Sequence, residues 1–142
     1  MNKTNIQIKQ IKLSDFPEVL SLWNKAGLSI SDVKKEFLEF QCVLSMNSSS
    51  CLVLVQDKTI IGSALGIFNG RRGWIYHLAI HPDFGHQGYG SLLLKKVEEA
   101  LKKKGAHRVL LCVEYTNLKV FPFYEKYGYV VINDALWLGK NI

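Results

Sequence analysis

Near the middle of the chain, the run His81-Pro82-Asp83-Phe84-Gly85-His86-Gln87-Gly88-Tyr89-Gly90-Ser91 has the make-up of an anion cradle. Glycines 85, 88 and 90 carry no Cβ that would hold a phosphate away from the main chain, and glycine tolerates positive φ. The run before it, Trp74 to Ile80, is β-branched and aromatic and reads as a strand. After it, Leu92-Leu93-Leu94, Val97, Ala100 and Leu101 recur at helical spacing, with Lys95, Lys96, Glu98 and Glu99 on the opposite side. A strand entering a glycine-rich loop that opens a helix turns the loop's N–H groups and those of the first helical turn toward one point. The chemistry this favours is the gripping of a phosphate or diphosphate. The order GxxGxG, with no Gly-Lys-Ser/Thr, is neither a P-loop nor the dinucleotide fingerprint. Three such glycines can also be an ordinary turn before a helix.

Several other elements must position this loop. Residues 5 to 12 alternate through Ile6, Ile8 and Ile11 as a first strand. Ser14 can cap a helix beginning at Asp15, with Pro17 in its first turn, Phe16, Val19, Leu20 and Trp23 on its buried side and Gly27 at its end. Ser31 can cap a second helix with Val33, Phe37, Phe40 and Val43 or Leu44 as its apolar stripe. From Cys51 the period changes. Residues 51–55, 59–68 and 74–80 read as strands joined by Asp57-Lys58 and by Asn69-Gly70, and the second is a strong hairpin signal, so an antiparallel meander is expected. The helix after the glycine loop should stop at Lys102-Lys103-Lys104-Gly105. Arg108 to Val113 is the next strand, parallel to 74–80 through a right-handed crossover. A helix from Leu118 to Lys126, its first turn disturbed by Pro122, stops at Gly128; Tyr129 to Ile132 and Leu136 to Leu138 are the last predicted strands. With no repeat or linker, residues 1–142 read as a single α/β domain.

Composition narrows the function classes. No apolar run approaches the ~18 residues of a membrane span, and the Asn/Lys-rich start lacks a signal peptide's apolar segment, so a cytoplasmic protein is expected. Lysines behind the net charge of +6 are spread over several helix faces, which fits a solvated surface and an anionic cofactor better than a nucleic-acid groove. Cys42, Cys51 and Cys112 have no metal-ligand spacing; each sits in an apolar segment and reads as a buried free thiol, with no metal expected.

The run Leu78-Ala79-Ile80-His81-Pro82 and the glycines that follow resemble the coenzyme A diphosphate loop of the GNAT acetyltransferase superfamily, Gln/Arg-x-x-Gly-x-Gly/Ala, which follows a Leu-Ala-Val-like triplet and His-Pro. Gly85 stands where the family has Gln or Arg, with His86 and Gln87 as possible substitutes for that side chain. The segment Asn117 to Tyr129 resembles the family signature Asn-x-x-Ala-x-x-x-Tyr-Glu-x-x-Gly-Phe/Tyr, with Tyr124, Glu125 and Gly128 on the matching positions. This likeness to a small single-domain bacterial or archaeal member implies the GNAT fold, a mixed α+β sheet of about six or seven strands flanked by four helices. It implies a splayed parallel strand pair, with the acyl pantetheine in the opening against the edge amides of Leu78, Ala79 and Ile80. It implies that Gly85, His86, Gln87, Gly88, Tyr89, Gly90 and Ser91 hold the diphosphate, and that Asn117, Phe123 and Tyr124 line the coenzyme.

Acetyl transfer from a thioester to an amine needs a neutral amine, a polarised carbonyl and a proton for the departing thiolate. The resemblance assigns that proton to Tyr124; the plainer alternative is an aromatic side chain packed by its ring. Asn117 either binds the pantetheine arm or caps the following helix, and can do both. Some family members carry a glutamate base where this chain has Cys112; Glu114 shares its strand face if the alternation holds. Tyr76 and His77 are the other base candidates, each with a satisfied packing role as the alternative. The carbonyl oxygen would be met by a main-chain N–H near Ala79 or Ile80. The function implied is an acetyl-CoA-dependent N-acetyltransferase acting on a primary amine of a small molecule, peptide or protein, as monomer or homodimer. A catalytically weak acyl-CoA-binding sensor of the same fold is the alternative, kept open by Gly85 and by the lack of an obvious base.

Overall fold

The computed structural model describes residues 5–28 and 30–142. Two compact units divide the chain, Met1–Leu111 and Cys112–Ile142. In the first, β1 (Ile6–Gln10), β2 (Cys51–Gln56), β3 (Thr59–Phe68) and β4 (Gly73–Ile80) pair antiparallel in chain order, and β5 (Val109–Leu110) joins β4 in parallel. Asp57 and Lys58 are both left-handed, at φ 48° and 71°, which suits the two-residue β2–β3 turn to the twist of its strands. At the β3–β4 turn, Asn69 Oδ1 accepts from the N–H groups of Arg71 (2.9 Å) and Arg72 (2.8 Å).

Alternation then sorts the sheet's two faces. Cys51, Val53, Leu65 and Ala79 meet Phe16, Val19 and Trp23 of α1 (Phe16–Lys25) and Phe40 of α2 (Val33–Asn47) in one cluster. Within it, Trp23 Nε1 donates to Ser63 Oγ (2.8 Å), which satisfies two buried polar groups at once. Against the other face lies α3 (Tyr89–Lys104), burying Leu93, Leu94, Val97 and Leu101 for about 1.5–3 kcal/mol each. The approach is close at Gly66 of β3, where a Cβ would stand 2.7 Å from Val97 Cγ1 and 2.6 Å from the Ser50 carbonyl oxygen. The far end of α3 is moored as well: Asn47 Oδ1 accepts from Lys104 Nζ (3.3 Å) and from Phe68 N–H (3.0 Å).

The second unit opens on a 3-10 stretch, Tyr115–Val120, interrupted at Asn117 (φ −127°, ψ 31°), and continues as α4 (Phe121–Lys126). Pro122 lies in the first turn of α4, where its missing N–H costs nothing; the irregularity expected of it is the 3-10 run just before. Gly128 ends the helix at φ +92°.

Four expectations need correction. The second helix is capped by Asp32 and not by Ser31, with Lys35 N–H donating to Asp32 Oδ1 (3.0 Å). Ahead of α1 runs a single 3-10 turn, Leu13–Asp15, in which no Ser14 cap forms and the Asp15 carboxylate instead accepts from Lys12 N–H (2.8 Å). The described residues form five strands, since 108–113 pairs only at Val109–Leu110 and neither 129–132 nor 136–138 is a strand. Strand-like composition becomes a strand only beside a ladder partner, and Val130, Leu136 and Leu138 stand 74%, 90% and 90% exposed. Of the three thiols only Cys51 is buried; Cys42 and Cys112 are exposed. No described helix is long and apolar enough to cross a membrane.

Replacing Asp32 with Ala should lower unfolding stability by about 1 kcal/mol in urea titrations, while Ser31→Ala changes little; equal effects would contradict the cap described above.

Candidate active site

β4 carries an irregularity that decides where its side chains go. Its pairing with β3 runs Leu65↔Tyr76 and then Ser63↔Ala79, so His77 and Leu78 together face the single residue Ala64. His77 absorbs the extra residue in the left-handed region at φ 51°. Tyr76 and His77 are neighbours in sequence and would alternate in a regular strand, yet both line one cavity on the α1/α2 face. The His77 ring meets Trp23 edge-on with centroids 4.5 Å apart, and its Nδ1 lies 3.7 Å from Glu36 Oε1. Tyr76 stacks with Trp74 at 6.4 Å.

On its other edge β4 pairs with β5 only at Gly73↔Val109 and Trp74↔Leu110. The rest of β4, which includes Leu78, Ala79 and Ile80, runs on with no β5 partner, because β5 ends at Leu110. A strand edge in that state can accept an extended, amide-bearing chain.

β4 leads straight into the glycine loop. His81 Nδ1 accepts from Asp83 N–H (3.1 Å) and starts a single 3-10 turn, Pro82–Phe84. The Gly85 N–H is used on the Pro82 carbonyl (3.3 Å). From there the chain reverses through His86 (φ 59°) and Gly88 (φ 82°) into α3. The first amide of α3 to find a carbonyl is that of Leu92, on Gly88 (3.1 Å), while Ser91 Oγ donates to the same oxygen (3.0 Å). Among the described residues, no main-chain N–H from His86 to Ser91 meets an acceptor. These amides open the positive end of a helix dipole, so an anion is the ligand they suit. The two glycines differ in kind. Gly88 needs its left-handed conformation, whereas Gly85 sits at φ −66°, which any residue adopts, and a Cβ there would touch only the Pro82 oxygen at 3.5 Å.

Glu114, Asn117, Phe123 and Tyr124 belong to the C-terminal unit. Because the strand ends at Leu110, the face shared by Cys112 and Glu114 does not exist. Glu114 is exposed and its carboxylate accepts from Thr116 Oγ1 (3.5 Å). Asn117 forms no side-chain cap; its N–H donates to the Glu114 carbonyl (2.8 Å). Tyr124 is half-buried, its ring against Phe123 (5.1 Å) and Tyr129 (5.7 Å), and burial pushes its phenol up from 10.0 to about 12.

The sequence reading missed two carboxylates. Glu36 and Glu39 of α2 line the same cavity as Tyr76 and His77, a space of about 330 Å³ walled by Phe40 and Leu65. Their signal was present: Glu36 precedes Phe40, and Glu39 precedes Val43, by the four residues that put two side chains on one helix face.

The sequence pattern of the acetyltransferase (GNAT) family matches residues 9–129, and the chain belongs to that family. An acetyltransferase from Yersinia enterocolitica is 30% identical over 137 residues, 96% of either chain. Among solved structures, Ard1 from Thermoplasma volcanium superposes with a TM-score of 0.80 at 19% identity over 90% of this chain and 84% of its own. The PaiA N-acetyltransferase from Thermoplasma acidophilum, solved in complex with coenzyme A, gives 0.77 at 21% identity over 92% and 93%.

A raised phenol pKa means the fold favours protonated Tyr124, so its contribution to stability is complete below pH 10 and is lost as pH climbs through 12. Ultraviolet titration of phenolate in the native chain, less that of Tyr124→Phe, should show the missing tyrosine ionising near pH 12; ionisation near 10 would contradict the burial.

Proposed function

We propose that this acetyltransferase moves the acetyl group of acetyl-CoA to a primary amine. The observation that carries the reading is the row of unengaged amides from His86 to Ser91 at the mouth of α3, in a family member whose β4 runs on past the end of β5 just upstream. In this reading the amides and the helix dipole bind the diphosphate, and the pantetheine arm pairs with the β4 edge at Leu78 to Ile80. Residues 1–142 act as one domain, supported by a family match that runs through both units. Exposed Cys42 and Cys112 suit a reducing compartment, in keeping with a cytoplasmic enzyme.

In the reaction the amine nitrogen attacks the thioester carbonyl carbon. A C–N bond forms, the C–S bond breaks, the amine gives up a proton and sulfur gains one. An alkylamine ionises near ~10.4, so near neutral pH the attacking form is a minority that a base must supply or select. Tyr76 and His77, brought to one cavity wall by the β4 bulge, are the groups we assign to receive that proton, directly or through water. Tyr124 is assigned to the thiolate from its place in the Asn117 to Tyr129 signature. Its pKa of about 12 shapes that role. An alkyl thiol ionises near ~8.5, so full transfer from this phenol is uphill by about 3.5 units, about 5 kcal/mol. Tyr124 therefore stabilises the thiolate as a hydrogen-bond donor, and its proton leaves only as another replaces it.

Three outcomes test this. Tyr124→Phe should lower kcat about 10²-fold with KM for acetyl-CoA within about twofold, measured by thiol release; unchanged turnover would remove the phenol from the mechanism. Gly88→Ala, forced into a left-handed conformation at about 1–2 kcal/mol, should weaken coenzyme A binding in calorimetry. Gly85→Arg should fold normally and tighten coenzyme A several-fold through an added charge-assisted contact. Absence of any coenzyme A heat in the native chain would sink the whole reading.

A further inference from the structure

The cavity under α2 is not accounted for by the coenzyme. It lies on the α1/α2 face of the sheet, and Tyr76 and His77, at its β4 wall, stand immediately before the Leu78 to Ile80 edge assigned above to the pantetheine arm. Its volume, about 330 Å³, is room for a chain on the order of ten non-hydrogen atoms at about 30 Å³ each. The walls supplied by Phe40, Val43, Leu65 and Ile67 are apolar, and the charged groups that α2 adds are two carboxylates, Glu36 and Glu39. Glu36 is mostly covered, with 19% of its side chain exposed, and among the described residues its ion-pair partner is His77 at 3.7 Å; no lysine or arginine comes within that reach. Glu39, at the exposed rim, meets Lys35 only at 4.0 Å, an i,i+4 surface pair of small worth that an incoming cation can replace. In a chain of net charge +6, which repels a cationic acceptor at long range, an apolar slot ending in two carboxylates is a local exception.

We infer that this cavity is the acceptor subsite, and that it selects an alkylamine bearing a second cationic centre: methylenes lie along the Phe40 and Leu65 wall, the distal ammonium is held by Glu39 and Glu36, and the near amine is presented toward Tyr76. This rests on the acetyltransferase reading and adds the class of acceptor to it. An α,ω-diamine is the simplest molecule with that chemistry. A neutral-tailed amine of equal length would put an apolar end beside the mostly covered Glu36 carboxylate and forgo the ionic contact with both glutamates, which is the physical source of discrimination.

The test compares acetylation of 1,5-diaminopentane with that of pentylamine by the full chain, by Glu36→Gln, by Glu39→Gln and by the double variant, while coenzyme A binding is followed by calorimetry. The native chain should favour the diamine in kcat/KM by at least about tenfold, the effect of one ionic contact. The ratio should fall toward unity in the double variant with its coenzyme A heat unchanged. Urea unfolding midpoints of all three variants, close to that of the native chain, serve as the control for folding. A ratio near unity in the native chain, or a ratio that survives in the double variant, overturns the acceptor assignment and leaves the acetyltransferase reading standing. If coenzyme A gives no heat, that reading fails first, and the cavity is judged by titrating 1,5-diaminopentane alone. Saturable binding lost in the double variant upholds the cation subsite, and no saturable binding overturns it.

Discussion

Opposite Ala64 of β3 stand two residues of β4, His77 and Leu78, and the surplus is taken up by His77 in a conformation that costs a non-glycine residue about 1–2 kcal/mol. The neighbours that hold it there are specific: the Trp23 ring edge-on to the imidazole, and the Glu36 carboxylate beside Nδ1. Without the extra residue, Tyr76 and His77 would face opposite sides of the sheet. With it, both reach the cavity beneath α2, and β4 is redirected just where it has lost β5 as a partner. Strand edge, cavity wall and glycine loop are thus consecutive along one strand.

The hairpins and the loop could be read from residue types because local chemistry determines them. Asn69 builds its turn from its own side chain, Asp57-Lys58 fits a two-residue turn, and Gly88 is the residue that a left-handed step into α3 requires. The bulge could not be read, because its cause is distant: His77 adopts its conformation through packing against α1 and α2, some forty or more residues earlier in the chain. The Asp32 cap was misassigned by one residue because Ser31 and Asp32 are both good caps and only the geometry of the incoming chain chooses. Glu36 and Glu39 lie outside the apolar stripe of the second helix, and only the position of α2 over β3 and β4 covers Glu36 and brings Glu39 to the cavity rim. At the C-terminal end, the β-branched run Val130-Val131-Ile132 suggested a strand by composition alone, and composition does not supply the partner that a ladder needs.

Family membership and site geometry rest on different evidence. The match over residues 9–129 carries the name of the reaction, whereas the free amides of His86 to Ser91 follow from two left-handed residues and the absence of acceptors, and stand independently of any relative. The Tyr124 phenol stands apart from both: burial pushes its pKa up from 10.0 to about 12, so it holds its proton more firmly than a free tyrosine.

The mooring of α3 has a mechanical corollary. Sixteen residues make a lever arm of roughly 24 Å, tied at one end by Lys104 to Asn47, seated near its middle in the gap left by Gly66, and packed toward the loop through Leu93 and Leu94. A tilt of about 5° around the fixed end would displace the loop by about 2 Å, most of a hydrogen-bond length. The aim of the amides therefore depends on how closely α3 seats on the sheet, and a bulkier residue at position 66 can disarm a loop it never touches.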